Sequence, residues 1–133
     1  MKKNGFLIVI PTVLFAVLSM SVAQIGGDWK APPEADKITN PLKGNAESID
    51  AGKKTFKQMC AICHGNKGKG DGVAGAALNP RPTDFSKSTF QEQTDGAIFW
   101  KMTEGRAPMA SYKEILKEDQ RWQLVNYIRT LKK

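Results

Sequence analysis

The chain has 133 residues, a net charge of +7, two cysteines and one histidine, which is enough for one small domain. Cysteine and histidine alone cannot complete a four-ligand zinc site here. The basic residues are scattered and form no nucleic-acid recognition motif, so the charge points instead to a protein partner with an acidic docking face.

Met1-Lys2-Lys3-Asn4 is a basic start, and the stretch from Phe6 to Val17 is apolar except for Pro11 and Thr12. Ser21-Val22-Ala23 is a small-x-small cleavage signal before Gln24. Residues 1–23 therefore read as a secretory signal peptide. The alternative, an uncleaved membrane anchor, is opposed by Pro11, Ser19 and an apolar core shorter than the roughly 20 residues of a span. Membrane association then requires an uncleaved signal or a complex. Loss of Lys2 and Lys3 with the signal takes the charge from +7 to +5 and leaves 110 residues.

Residues 24–47 carry Pro32, Pro33 and Pro41, which interrupt helix and strand alike. This segment is expected to be an extended arm laid over the domain and pinned by Trp29. A first helix is predicted over residues 48–63, with Ser48 as its cap and Asp50 suited to the positive end. Ile49, Gly52, Phe56 and Met59 fall at spacings of three and four and make its apolar face. Lys53, Lys54 and Lys57 face solvent.

That helix ends in Cys60-Ala61-Ile62-Cys63-His64, the CxxCH attachment motif of a c-type haem. Positions i, i+3 and i+4 share a helix face, so two thiols can meet the haem vinyl groups while the imidazole takes an axial site on the iron. A redox dithiol is the competing reading, but the chain lacks the βαβ pattern that accompanies it. Zinc would have to recruit carboxylates. Export agrees with haem, because bacterial haem attachment acts on exported chains.

Gly65 to Gly72 must be loop, without the GxxxxGK[ST] phosphate pattern. Its glycines are expected to let backbone pass close to the haem edge. Residues 79–85 form a second, proline-rich loop. A middle helix is predicted over residues 95–104 with Gly105 as its stop, Ile98, Phe99 and Met102 on its apolar side and Trp100 at its edge. A helical turn at residues 112–116 precedes a last helix over residues 118–131. Trp122, Val125, Ile128 and Leu131 form the stripe of that helix, with Leu124 and Tyr127 beside it. No strand signal stands out, and the chain reads as all-α.

CxxCHG at Cys60 to Gly65, Gly68-x-Gly70-Asp71-Gly72 and Pro80-x-Pro82-x-Asp84-Phe85 resemble the small monohaem class I cytochromes c of bacteria. So do Asp95-Gly96, Pro108-Met109 and Trp122-x-x-Val125-x-Tyr127-Ile128-Arg129. The resemblance spans roughly residues 48–131. It implies an all-α domain over residues 48–133, with three to five helices wrapped around one covalent haem. It also implies a tight crossing of the first and last helices, where Gly52 and Phe56 meet Tyr127 and its neighbours. Lys117 departs from the family pattern, which often places Ser, Thr or Asp there as a cap.

With His64 the sole histidine, a bis-histidine haem within one chain is excluded. Met59 adjoins Cys60 on the proximal helix. Met102 lies in an apolar helical pattern, where methionine is commonly core. Met109 follows Pro108 in a loop and is free to point its thioether inward; the resemblance selects the same residue. A lysine or an open site are the other readings. By family analogy the carbonyl of Pro80 receives the second N–H of His64. Arg81 and Trp100 are candidates for the haem propionates, or else ordinary surface and packing residues.

The expected protein is a periplasmic one-electron carrier between respiratory donors and an oxidase or reductase, and not an enzyme. A tethered subunit of a respiratory complex is the second reading. A haem peroxidase is the third, and it lacks the distal histidine it would need.

Overall fold

The computed structural model describes residues 28–133. The expected signal peptide and the first four residues of the arm lie outside them. The described residues form five α-helices: α1 (Ala46–Met59), α2 (Ala61–His64), α3 (Ser88–Gln91), α4 (Asp95–Glu104) and α5 (Glu118–Arg129). Single 3-10 turns sit at Ala35–Lys37 and Gly75–Ala77. Among the described residues the only β feature is an isolated bridge between Arg106 and Met109. No described helix is long and apolar enough to cross a membrane.

α1 starts two residues earlier than its sequence suggests. Asn45, not Ser48, is the cap: its side-chain oxygen accepts from the Ser48 N–H at 2.7 Å. Ser48 turns inward, and its hydroxyl accepts from the Asn126 amide at 2.8 Å. The helix also breaks at Cys60, where ψ is −34° and φ −107°. The His64 N–H still donates to the Cys60 carbonyl at 2.8 Å, so the three motif residues keep their common helical face.

The fold is organised by the crossing of α1 and α5. Gly52 makes it possible: a Cβ there would lie 1.9 Å from the Gln123 carbonyl oxygen. Below the crossing, the rings of Phe56 and Tyr127 stand 5.2 Å apart, and Phe99 of α4 stacks on Trp122 of α5 at 3.9 Å. Phe56, Leu124 and Val125 are fully buried. The predicted stripe of α5 faces this core, with Leu131 half-buried at its end.

α4 has the predicted bounds and ends at Gly105, whose φ of +68° suits glycine. α5 starts without a side-chain cap from Lys117, because an ammonium has no acceptor. Instead the Gln120 side chain accepts from the Lys117 N–H at 2.9 Å. α5 also buries two polar residues unforeseen from the sequence. The Arg121 guanidinium lies 5.0 Å over the Phe99 ring and donates to the Thr103 hydroxyl at 3.1 Å.

Asn126 is the hub that joins the arm to both long helices. It donates to Ser48 of α1 and, at 2.6 Å, to the Leu42 carbonyl of the arm. It accepts from Asn40 at 2.7 Å, and Asn40 donates onward to Asp95 at 2.9 Å. Arg129 completes the knot, with an ion pair to Asp95 at 2.7 Å and hydrogen bonds to the Gln91 and Gln93 carbonyls. The described arm is thus tied down by buried polar groups whose hydrogen bonds are met.

Candidate haem site

Cys60, Cys63 and His64 line a cavity of about 610 Å³ to which all five helices and the loops between them contribute. The volume lies within the roughly 300–1,000 Å³ of ligand and cofactor sites. Phe56, Phe85, Phe90, Ile98 and Ile128 make much of its wall apolar.

α2 is a single turn, so its carbonyls need outside donors. The glycine loop supplies them: Gly70, Gly72 and Ala74 donate to the carbonyls of His64, Cys63 and Ile62 at 2.9, 3.2 and 2.9 Å. Gly70 and Gly72 of this loop make their close approaches to protein backbone. A Cβ on Gly72 would meet the Ile62 carbonyl at 2.4 Å, and one on Gly75 the Cys63 carbonyl at 2.2 Å. The loop therefore braces the motif from behind.

Cys60 and Cys63 are each half-buried and are not joined in a disulfide. Before a haem is attached, burial, and then the neighbouring Cys63, push the Cys60 thiol pKa up to about 12. His64 stacks on Phe85 with ring centroids 4.3 Å apart. Burial lowers its pKa, against a smaller upward effect of the Thr83 carbonyl, which favours the neutral imidazole that a metal requires. Nδ1 lies 3.3 Å from the Thr83 carbonyl oxygen. A proton held there leaves Nε2 as the free donor atom.

Thr83 thus takes the part expected of Pro80. Pro80 lines the cavity, but the proline loop brings the carbonyl three residues later to the ring. Arg81 also lines the cavity, from an exposed position. Trp100 does not. It lies two residues from both Ile98 and Met102, about 200° around the helix from the lining face. The aromatic residue at that side is Trp29 of the arm, beside Lys101 and Arg106.

Three methionines line the cavity: Met59, Met102 and Met109. Met59 precedes Cys60 at the end of α1. Met102 is 6% exposed and belongs to the core. Met109 is half-buried in the loop after α4. That loop is closed on itself, with Met109 N–H to Arg106 carbonyl at 2.8 Å and the reverse bond at 3.0 Å. It is also laced to α4, because the Tyr112 N–H donates to the Met102 carbonyl at 3.1 Å and the Ser111 hydroxyl to that of Thr103 at 2.6 Å. Two thiols and an imidazole on one helical face, beside an apolar cavity of cofactor size, fit a covalently held haem. Among the described residues no group of three or more His, Cys, Asp or Glu could hold a metal ion by itself.

Comparison with known proteins agrees. The family described as cytochrome c oxidase, cbb3-type, subunit III matches residues 47–128. A chain of the Kuenenia stuttgartiensis reducing HAO-like protein complex Kustc0457/Kustc0458 is 29% identical, with a TM-score of 0.63 over 72% of this chain. The alignment spans half of that chain's length. The KustC0563 c-type cytochrome is also 29% identical, with a TM-score of 0.53 over 62% of this chain and 98% of its own. No match was found among curated proteins. The protein is a c-type cytochrome that carries covalently bound haem c, and it belongs to the family of the cbb3-type cytochrome c oxidase subunit III.

Proposed function

We propose that the protein is a periplasmic one-electron carrier holding one haem, ligated by His64 and Met109. It takes electrons from a respiratory donor and passes them to an oxidase or reductase. The observation that carries the reading is one cavity lined by the sole histidine, both cysteines and a loop methionine. When bound, haem supplies an iron centre that changes oxidation state by one electron. The chain's own residues do the rest. Cys60 and Cys63 tether the group, and the Thr83 carbonyl orients His64. A thioether from Met109 favours the reduced metal, and the apolar walls keep water away. With His64 and Met109 both holding the group, neither side of it would be open to a substrate, so its role would be electron transfer and not catalysis.

The export-type N-terminus supports the periplasmic placement. The net charge of +7, or +5 after cleavage, supports a partner with an acidic face. A second reading, a subunit within a respiratory complex, is favoured by the family match to an oxidase subunit and by the structural relative that is part of a protein complex. Gel filtration and a pull-down from membranes separate the two.

The decisive measurement is the optical spectrum of the purified oxidised and reduced protein, with and without carbon monoxide. The colour should stay with the protein through acid–acetone extraction, and reduced protein should not bind carbon monoxide. Rapid binding would reveal an open iron site and make a ligand-binding or catalytic haem protein the better reading.

A further inference from the structure

Trp29 lies outside residues 47–128, the part of the chain that matches the family, yet it lines the haem cavity. Two cations gather on its ring. The Lys101 ammonium is 5.8 Å from the ring centroid and the Arg106 guanidinium 5.1 Å, both within the roughly 6 Å reach of a cation–π contact. Lys101 and Arg106 line the cavity too. Lys101 is further held by the Gln93 side-chain oxygen, to which it donates. Burial, and then Arg106, depress the Lys101 pKa, as expected when like charges share a corner. Asp28 and Asp36 offset part of that repulsion, and a further anion placed between the two cations would relieve the rest.

The place of Trp29 is no accident of a loose end. The arm behind it is anchored at Ala35, which is 1% exposed, and a Cβ on Gly96 of α4 would lie 2.0 Å from the Ala35 carbonyl. Asp36 accepts from the Thr94 hydroxyl at 2.7 Å, and Thr94 is the cap of α4. The arm and α4 therefore position Trp29 and Lys101 together.

We propose that the arm completes the cofactor site: Trp29 gathers Lys101 and Arg106 into a cationic corner that receives the two haem carboxylates and shields them from water. This rests on haem occupying the cavity. Ionised carboxylates near the iron favour its oxidised, more positive state, and cations set against them reduce that bias. Trp29 is a positioning residue that raises the midpoint potential through its two cations.

The test measures the midpoint potential of purified holoproteins by spectroelectrochemistry: wild type, Trp29→Phe, Trp29→Leu, Lys101→Met and the Trp29→Leu/Lys101→Met double variant. Arg106 is left intact because it stands in the short loop that carries Met109. Trp29→Leu keeps apolar bulk without the ring. Trp29→Leu and Lys101→Met should each lower the potential, and Trp29→Phe should stay near wild type. The double variant should fall by less than the sum of the two single shifts, since the residues act as a unit. An unchanged potential in Trp29→Leu, even with a lower melting temperature, would show a merely structural arm and overturn the proposal. Strictly additive shifts, or loss of the methionine-to-iron charge-transfer band in Trp29→Leu, would overturn it as well. A wild-type protein without covalent haem would instead refute the haem reading beneath it.

Discussion

Met102 and Met109 line the same cavity but are held differently. Met102 sits on a packed helix at 6% exposure, while Met109 is carried by a small hydrogen-bonded loop. Met109→Ala should abolish the near-infrared methionine-to-iron band expected of the family, lower the potential and open the iron to carbon monoxide. Met102→Ala should keep the band and cost about 2–5 kcal/mol of stability in a thermal melt, as for other buried methionines. The reverse pattern would reassign the ligand. Asp95 is the second informative residue. Burial pushes its carboxyl up, but hydrogen bonds from Asn40 and Arg129, with the charge of Arg129, outweigh this and hold its pKa below the ordinary 3.8. A depressed folded pKa contributes stability that is present above the unfolded value and lost as pH falls through the folded one. The stability gap between wild type and Asp95→Asn should therefore be full at neutral pH and shrink below about pH 4. A gap that does not change with pH would show that the ion pair contributes nothing.

Among the elements, the α1–α5 crossing tolerates the least. Gly52→Ala would set a methyl 1.9 Å from a backbone oxygen and 2.5 Å from its carbon. No rotamer change relieves a clash with backbone, so the helices must part. The cost should reach or exceed the roughly 1–3 kcal/mol of ordinary overpacking. Lys53→Ala, one residue on and exposed, should stay within about 0.5 kcal/mol of wild type. Chemical denaturation of the two holoproteins makes the comparison, and equal stabilities would refute the tight crossing. The short helix α2 depends on its surroundings in another way. Its carbonyls are met by a loop and not by further helix, so the attachment motif holds its shape only when that loop is folded around it.

At the scale of the whole molecule, the cavity of about 610 Å³ lies inside a small domain, and its apolar walls include core residues of α1, α4 and α5. A group bound to the folded state alone stabilises it. Protein without haem should show weak helical circular dichroism and no cooperative melt; a sharp transition would show that the helices suffice. Electron exchange with the physiological partner should slow as salt rises, because surface attraction is screened within about 8 Å at physiological ionic strength. A rate independent of salt would point to an apolar docking face and leave the lysines a role in solubility.

Short-range chemistry was legible without coordinates. The CxxCH spacing, the apolar periods of α1, α4 and α5 and the glycine stop of α4 all depend on residues a few positions apart, whereas the close approach at Gly52 was implied only by the family resemblance. What the sequence left open was every contact set by the path of a loop. His64 turns to the carbonyl of Thr83, nineteen residues on, and only the course of the proline loop decides between Thr83 and Pro80. Ser48 reads as a cap, but Asn126, 78 residues away, draws its hydroxyl inward and Asn45 takes the cap. Trp100 and Trp29 are equally plausible cavity residues as letters in a chain. The phase of α4 turns one away, and the anchoring of the arm brings the other in, because side-chain direction follows from tertiary packing and not from residue type.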